Sequence, residues 1–153
     1  MRPRIRIAGE TDIGEMHRIR LAVRENRLAA PSMVQPDDYR RLLAGNGRGW
    51  VAEAEGRIVG FAVADAARGN VWALFVAPEF EGRGAGRMLH DAMMGWFFAS
   101  GADSIWLSTD PGTRAEAFYR AAGWRPAGEY HGEARYEMSR QDWLAGGRGG
   151  ESG

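Results

Sequence analysis

The chain has 153 residues and a mass of 16.8 kDa, the size of one ordinary domain built around a single core. Its 20 acidic side chains balance 20 basic ones, all of them arginine, and it contains no cysteine. Without lysine there is no P-loop amine, Schiff base or pyridoxal-phosphate anchor, and without cysteine no thiolate nucleophile, iron–sulfur cluster, zinc–cysteine site or disulfide. A sequence pI of about 6.8 argues against nucleic acid or an acidic membrane surface as partner and favours small or peptide-like ones. The stretch Met1 to Glu10 lacks the apolar core of a secretory signal, so the expected location is the cytoplasm. The runs Trp72 to Ala77 and Trp96 to Ala99 fall well short of the roughly 20 residues that cross a bilayer, so no membrane partner is expected.

In chain order, alternation in Arg4 to Ala8 predicts a short strand. Asp12 followed by Glu15 resembles a capping box opening a helix whose apolar side is Ile13, Met16, Ile19 and Val23. After a loop around Pro31, Pro36 with Asp37 and Asp38 starts a second helix, which Gly45 and Gly47 end. Strands Trp50 to Ala54 and Arg57 to Ala64 flank the two-residue turn Glu55-Gly56, and a polar break leads to the apolar strand Val71 to Val76. Gly84 to Ser100 is helical, with Met88, Leu89, Ala92, Met93, Trp96 and Phe97 as its apolar stripe and Gly101 as its stop. Ser104 to Ser108 is a strand, Thr113 to Ala122 a helix stopped by Gly123, and Trp124 to Tyr130 with Glu133 to Ser139 a closing strand pair. The resulting order of elements predicts an α/β domain, a mixed sheet with helices against it, over residues 1–144. The glycine-rich tail 145–153 is expected to be disordered.

The segment from Val76 to Arg87 lies between a buried strand and a long helix. Its alternating glycines, Gly82, Gly84 and Gly86, let the backbone approach a ligand, and the following helix turns N–H groups and its positive dipole end to the same spot. Arg83 and Arg87 add charges suited to phosphate oxygens. A dinucleotide fingerprint would need a third glycine at Arg87, and a P-loop would need lysine. The plain alternative is a tight turn with no ligand.

On these residues the chain resembles the GNAT (Gcn5-related) N-acetyltransferases. The family loop, [Gln or Arg]-x-x-Gly-x-[Gly or Ala], is matched by Glu81-Gly82-Arg83-Gly84-Ala85-Gly86, with Glu81 departing at the first position. Leu74-Phe75-Val76-Ala77-Pro78-Glu79 looks like the end of the family's fourth strand, and Ala115 to Trp124 is similar to its tyrosine helix. The resemblance implies the GNAT acyl-CoA N-acyltransferase fold, a mixed, mostly antiparallel seven-stranded sheet with about four helices. It implies acetyl-CoA as co-substrate, with no metal, bound by Leu74, Phe75, Val76, Glu81, Gly82, Arg83, Gly84, Ala85, Gly86 and Arg87. Many relatives carry Asn seven residues before the tyrosine; here Gly112 stands there, and Thr113 beside it becomes the further cofactor contact.

The chemistry so implied needs a base and an acid. An amine near pKa 10 must lose a proton before it attacks a thioester, and a departing thiolate near pKa 8.5 gains by receiving one. The resemblance makes Tyr119 the acid, against the alternative of a tyrosine packed with Ala115, Phe118 and Ala122, and lets an N–H near Phe75 or Val76 polarise the carbonyl. Histone-modifying relatives carry a Glu base where this chain has Asn70, which cannot titrate. Glu25 with Asn26, Asp65, and the group His131, Glu133 and Arg135 remain as substrate-side candidates, each with a solvated surface role as the alternative. Glu25 and Asn26 are the pair assigned to the acceptor. The histidines His17, His90 and His131 show no metal-ligand spacing. The expected function is direct transfer of acetyl to a primary amine on a small molecule or a protein N-terminus, in a chain free to form a homodimer. A non-catalytic acyl-CoA-binding or sensing domain of the same fold is the competing reading, and an assembly subunit a third.

Overall fold

The computed structural model describes residues 2–25 and 34–146, which hold seven strands and five α-helices, four of them longer than six residues. They fall into two compact units, 1–96 and 97–153. No helix among the described residues is long and apolar enough to cross a membrane.

The first unit contains β1 (Arg4–Ile7), α1 (Ile13–Glu25), α2 (Pro36–Ala44), β2 (Gly47–Ala54), β3 (Arg57–Asp65), β4 (Asn70–Val76) and most of α3 (Ala85–Ala99). Its strands are antiparallel in the order β1-β2-β3-β4, with Ile7 opposite Trp50, Val51 opposite Phe61 and Phe61 opposite Phe75. The β2–β3 hairpin closes as read, with both Glu55 (φ 55°) and Gly56 (φ 76°) left-handed, the backbone a two-residue turn needs to follow the strand twist. One sheet face carries Val51, Phe61, Val63 and Ala73 into a core with Ile13, Met16, Ile19 and Tyr39 of α1 and α2. On the other, Trp50 meets Trp96 of α3 at 5.7 Å, and a Cβ at Gly60 would stand 3.1 Å from Leu89. The same Cβ would stand 3.0 Å from the Phe75 carbonyl oxygen, so glycine at 60 spares both neighbours a shift.

Pro36 does open α2, at a position where its missing N–H has no intrahelical partner to lose. Two sequence expectations are corrected. Asp12 forms no capping box with Glu15: its carboxylate accepts from Gly9 N–H at 2.8 Å and from both terminal nitrogens of Arg6 at 2.9 Å, while Glu15 pairs with Arg18. Asp12 therefore closes a short 3-10 turn, Glu10–Asp12, ahead of α1. The buried stripe of α3 is also turned by one residue, to Leu89, His90, Met93, Met94, Phe97 and Phe98, with Met88, Ala92 and Trp96 half-exposed. His90 misleads the reading because a histidine is not counted as apolar, yet it is buried, with Nδ1 2.8 Å from Asp91.

The second unit contains β5 (Ser104–Thr109), α4 (Arg114–Ala121), β6 (Arg125–Tyr130), β7 (Glu133–Ser139) and α5 (Arg140–Ala145). Here β7 is central and antiparallel to both neighbours, with Leu107 opposite Tyr136 and Tyr130 opposite Glu133. Pro126 sits in β6, an edge strand that breaks register between Pro126 and Glu129, which is where a sheet tolerates proline. Helix α5 is absent from the sequence reading and takes up Ala145, the first residue assigned to the tail. Ser139 caps it by accepting from Asp142 N–H at 3.0 Å, and Asp142 in turn takes a bidentate pair from Arg125. Arg140 donates to the carbonyls of Phe98 and Ala102, satisfying the end of α3 where Gly101 turns the chain at φ 101°.

Candidate active site

In the first unit β4 runs into a 3-10 turn, Pro78–Phe80, and a bend through Glu81, Gly82, Arg83 and Gly84 before α3 begins at Ala85. Gly82 (φ 79°) and Gly84 (φ 89°) are left-handed, a conformation that a side chain at either position would strain. Gly84 carbonyl accepts the first intrahelical bond of α3, from Met88 N–H at 3.1 Å. The N–H groups of Ala85, Gly86 and Arg87 precede that bond, so helix geometry turns them off the end of α3. Nothing lies within 4 Å of where a Cβ on Gly84 would stand, so a phosphate-sized group can reach the backbone there. Gly86 belongs to the first helical turn rather than to the bend.

Two arginines flank the buried ring of Phe80: Arg83 at 4.9 Å and Arg57 at 4.8 Å from its centroid. Arg83 stands 3.8 Å from Glu55 and Arg87 3.4 Å from Asp91, both as half-exposed surface pairs that an incoming anion could displace at little cost. Arg57 is an addition with no local signal of its own: the hairpin register brings the start of β3 beside the loop, where Arg57 also donates to Glu79 at 3.3 Å. Glu81 is exposed, and its main-chain N–H is bound to Pro78 carbonyl at 3.3 Å. Leu74, Phe75 and Val76 are half-buried on β4, opposite Ala62, Phe61 and Gly60 of β3.

In the second unit Thr113 caps α4, accepting from Glu116 N–H at 3.3 Å and donating its own proton to Asp110 carbonyl at 2.7 Å. With that proton committed, its hydroxyl can offer a further partner only a lone pair. Gly112 (φ 74°) donates its N–H to Glu116 at 2.8 Å, and Tyr136 O–H donates to the other oxygen of that carboxylate at 2.7 Å. Arg120 Nε donates to the Tyr136 oxygen at 2.7 Å. Tyr136 and Gly112 together hold the Glu116 carboxyl below its usual range. This network fixes the entry to α4, and a sequence pattern could not show it because the partner lies on β7.

Tyr119, one turn further along α4, is 6 % exposed, with its ring edge-on to Trp124 at 5.7 Å and to Phe118 at 5.4 Å. No side chain among the described residues hydrogen-bonds its hydroxyl. Burial drives the phenol pKa well above its ordinary value, so the group stays protonated across the neutral range.

The substrate-side candidates fare unevenly. Asp65 is buried and accepts from Arg68 N–H in the turn before β4, so it is neither a solvated charge nor a free base. Asn70 is buried at the start of β4, opposite Asp65. Glu133 accepts from Ser108 Oγ at 2.7 Å, Arg135 covers the Trp106 ring at 4.4 Å and pairs with Glu137, and exposed His131 (φ 50°) forms the β6–β7 turn. Glu25 is the last residue of α1, and Asn26 lies outside the described residues. Among the described residues no group of three His, Asp or Glu side chains could hold a metal.

Residues 13–124 match the model of the acetyltransferase (GNAT) family. The chain belongs to that family. It has the family's α/β fold with a seven-stranded mixed sheet. An acetyltransferase of the GNAT family from Staphylococcus aureus Mu50 is similar at a TM-score of 0.77 and 16% identity, covering 90% of this chain and 98% of that one. A GCN5-related N-acetyltransferase from Rhodopseudomonas palustris scores 0.76 at 20% identity, covering 91% and 96%. The PaiA N-acetyltransferase from Thermoplasma acidophilum, solved in complex with coenzyme A, scores 0.74 at 14% identity, covering 91% and 99%. No curated protein matches the chain. These identities speak for the GNAT fold, and the acceptor is a separate question.

Proposed function

We propose that this GNAT protein is an acetyl-CoA-dependent N-acetyltransferase that passes acetyl directly to a primary amine in a ternary complex. The observation that carries the reading is Tyr119: a buried ring whose phenol is kept protonated and whose hydroxyl is hydrogen-bonded to no described side chain. A phenol that only filled space would gain by bonding that proton to a neighbour. The open backbone at Gly84 and the first turn of α3 support a pyrophosphate site there, with Arg83 and Arg87 adding charge. Leu74 to Val76 would hold the pantetheine arm by main-chain bonds, Thr113 would accept a hydrogen bond, and Glu25 with Asn26 would face the acceptor.

Bound acetyl-CoA supplies an acetyl thioester to this site. The N–H of Phe75 or Val76 would polarise the acyl oxygen. Tyr119 would give its phenolic proton to the sulfur as the carbon–sulfur bond breaks and the carbon–nitrogen bond forms, and the proton shed by the amine, relayed through water, would restore the phenol.

Thiol release from acetyl-CoA against a panel of amines tests the activity, and Tyr119→Phe tests the role. The variant keeps the ring and its contacts, so calorimetric CoA affinity should hold while kcat falls by about 100-fold. An unchanged kcat where chemistry limits the rate would return Tyr119 to packing. CoA binding with no thiol release from any amine would favour the sensing domain.

A further inference from the structure

The role of Tyr119 as acid does not say what sets its position, and the following inference rests on that role and extends it. A proton donor works at full rate only when it is held to within about 0.5 Å of its productive place. The Tyr119 ring packs on Phe118 and Trp124, but its hydroxyl bonds no described side chain, so no bond of its own fixes the atom that gives the proton. Its place is inherited from α4. Two side chains of that helix, Glu116 and Arg120, lie one turn apart and bracket Tyr119 in sequence. Both meet a single atom outside the helix, the phenol oxygen of Tyr136 on β7.

The three groups close a triangle. Tyr136 O–H donates to Glu116 Oε2 at 2.7 Å, its oxygen accepts from Arg120 Nε at 2.7 Å, and Arg120 Nη2 stands 3.9 Å from Glu116 Oε2. The other Glu116 oxygen takes Gly112 N–H at 2.8 Å, which ties the turn before α4 into the same network. Tyr136 is a fixed point for that helix: it is buried in the central strand of the second unit, opposite Leu107 of β5 and Pro126 of β6. Burial first, and then the bond to Glu116, raise its phenol above its ordinary pKa, so it keeps the proton that it donates. Both bonds engage an ionised partner, which makes them stronger than bonds between neutral groups. One contact would let α4 pivot, whereas two contacts a turn apart restrain both its rotation and its slide along β7. At the surface of a helix, a rotation of about 10° moves a side-chain tip by about 1 Å. A misplacement of that size can cost about 100-fold in rate.

We propose that Tyr136 is a positioning residue for the transfer step: by binding Glu116 and Arg120 at once it locks α4 onto β7 and so holds the Tyr119 hydroxyl where the proton is given. Its effect on the rate is exerted through Tyr119 and vanishes when Tyr119 has no proton to give. Its loss lowers kcat rather than CoA affinity, because the N–H groups and charges proposed to hold the pyrophosphate belong to the bend before α3 and not to this network.

The test joins a signal from Tyr119 to a kinetic cycle. The chain has four tyrosines, so the protein labelled with 13Cζ-tyrosine gives one ring signal for each, and that of Tyr119 is assigned by its loss in Tyr119→Phe. In Tyr136→Phe, which keeps the ring and deletes the hydroxyl, the Tyr119 signal should shift or broaden while that of Tyr39, in the first unit, stays in place. With acetyl-CoA and the best amine of the panel, Tyr136→Phe should lower kcat at least fivefold, with calorimetric CoA affinity within twofold of wild type. In the Tyr119→Phe background the same change should lower kcat no further. An unmoved Tyr119 signal, an unchanged kcat in Tyr136→Phe, or the same fold loss in both backgrounds overturns the positioning role. Any of these leaves the acid role standing if Tyr119→Phe alone still lowers kcat. If Tyr119→Phe keeps full kcat where chemistry limits the rate, or no amine releases thiol, the acid role falls and the positioning role falls with it. Should Tyr136→Phe fail to fold, Arg120→Met removes the Nε donor from the exposed end of the network and is carried through the same kinetic cycle, with the same loss of effect expected in the Tyr119→Phe background.

Discussion

At Gly84 the backbone has φ 89° and open space where a side chain would stand, so two penalties of different kind meet in one residue. A branched side chain there would strain the turn and fill the approach to the first N–H groups of α3. Gly56 has a similar φ of 76°, equally open space, and a place in the β2–β3 hairpin that the cofactor reading does not use. Gly56→Val therefore serves as the control for strain alone. Gly84→Val should weaken CoA at least tenfold, about 1.4 kcal/mol, while Gly56→Val lowers stability and leaves the affinity near wild type. Equal calorimetric affinity in both folded variants would show that the loop is only a turn. Arg83→Ala carries a second signature: its half-exposed charge should matter more at low salt than at high, where screening has already removed much of it.

Among the elements, the junction between β1 and α1 hangs on one carboxylate. Asp12 is buried, takes two bonds from Arg6 and one from Gly9 N–H, and is held below the usual aspartate range chiefly by Arg6. Asp12→Ala strips a buried N–H and a guanidinium of their acceptor at once, so it should cost about 2 kcal/mol or more. Glu15→Ala, which breaks an exposed pair with Arg18, should cost under about 0.5 kcal/mol. Urea unfolding of the two variants checks the contrast, and equal losses would contradict the assignment. The same junction shows what a sequence can and cannot reveal. Asp12 and Glu15 have the spacing of a capping box, but the partner that decides Asp12's role, Arg6, is set by how β1 enters the turn. Periods and punctuation were legible: Pro36 opening α2, Glu55-Gly56 closing the hairpin, Thr113 capping α4, and the glycine bend ahead of α3. Helix α5 was not, because six residues are too few to show a period and Ser139 serves both as the end of β7 and as the cap. Long-range polar contacts, such as Glu116 with Tyr136 or Arg20 with the rings of β4, have no local spacing at all.

For the molecule as a whole, the charge inventory governs its response to acid. All 20 cations are arginines, charged throughout the range in which the protein would be handled, so every change of net charge between pH 8 and pH 3 comes from histidines, carboxylates or the chain termini. His17 is held below its ordinary pKa, chiefly by burial, so the unfolded chain binds the proton more readily. Its contribution is complete above about pH 6.5 and is lost as the pH falls from there toward its folded value. Asp12, Glu15, Glu116 and Asp142 are held low by their partners, so their contribution is present above about pH 4 and is lost as the pH falls below it. Two windows of acid loss are therefore expected, the upper one belonging to His17. His17→Gln should flatten the dependence of the urea midpoint between pH 7.5 and pH 5.5 while leaving the fall below pH 4 in place. If the variant keeps the full slope in the upper window, the assignment of that window to His17 is wrong.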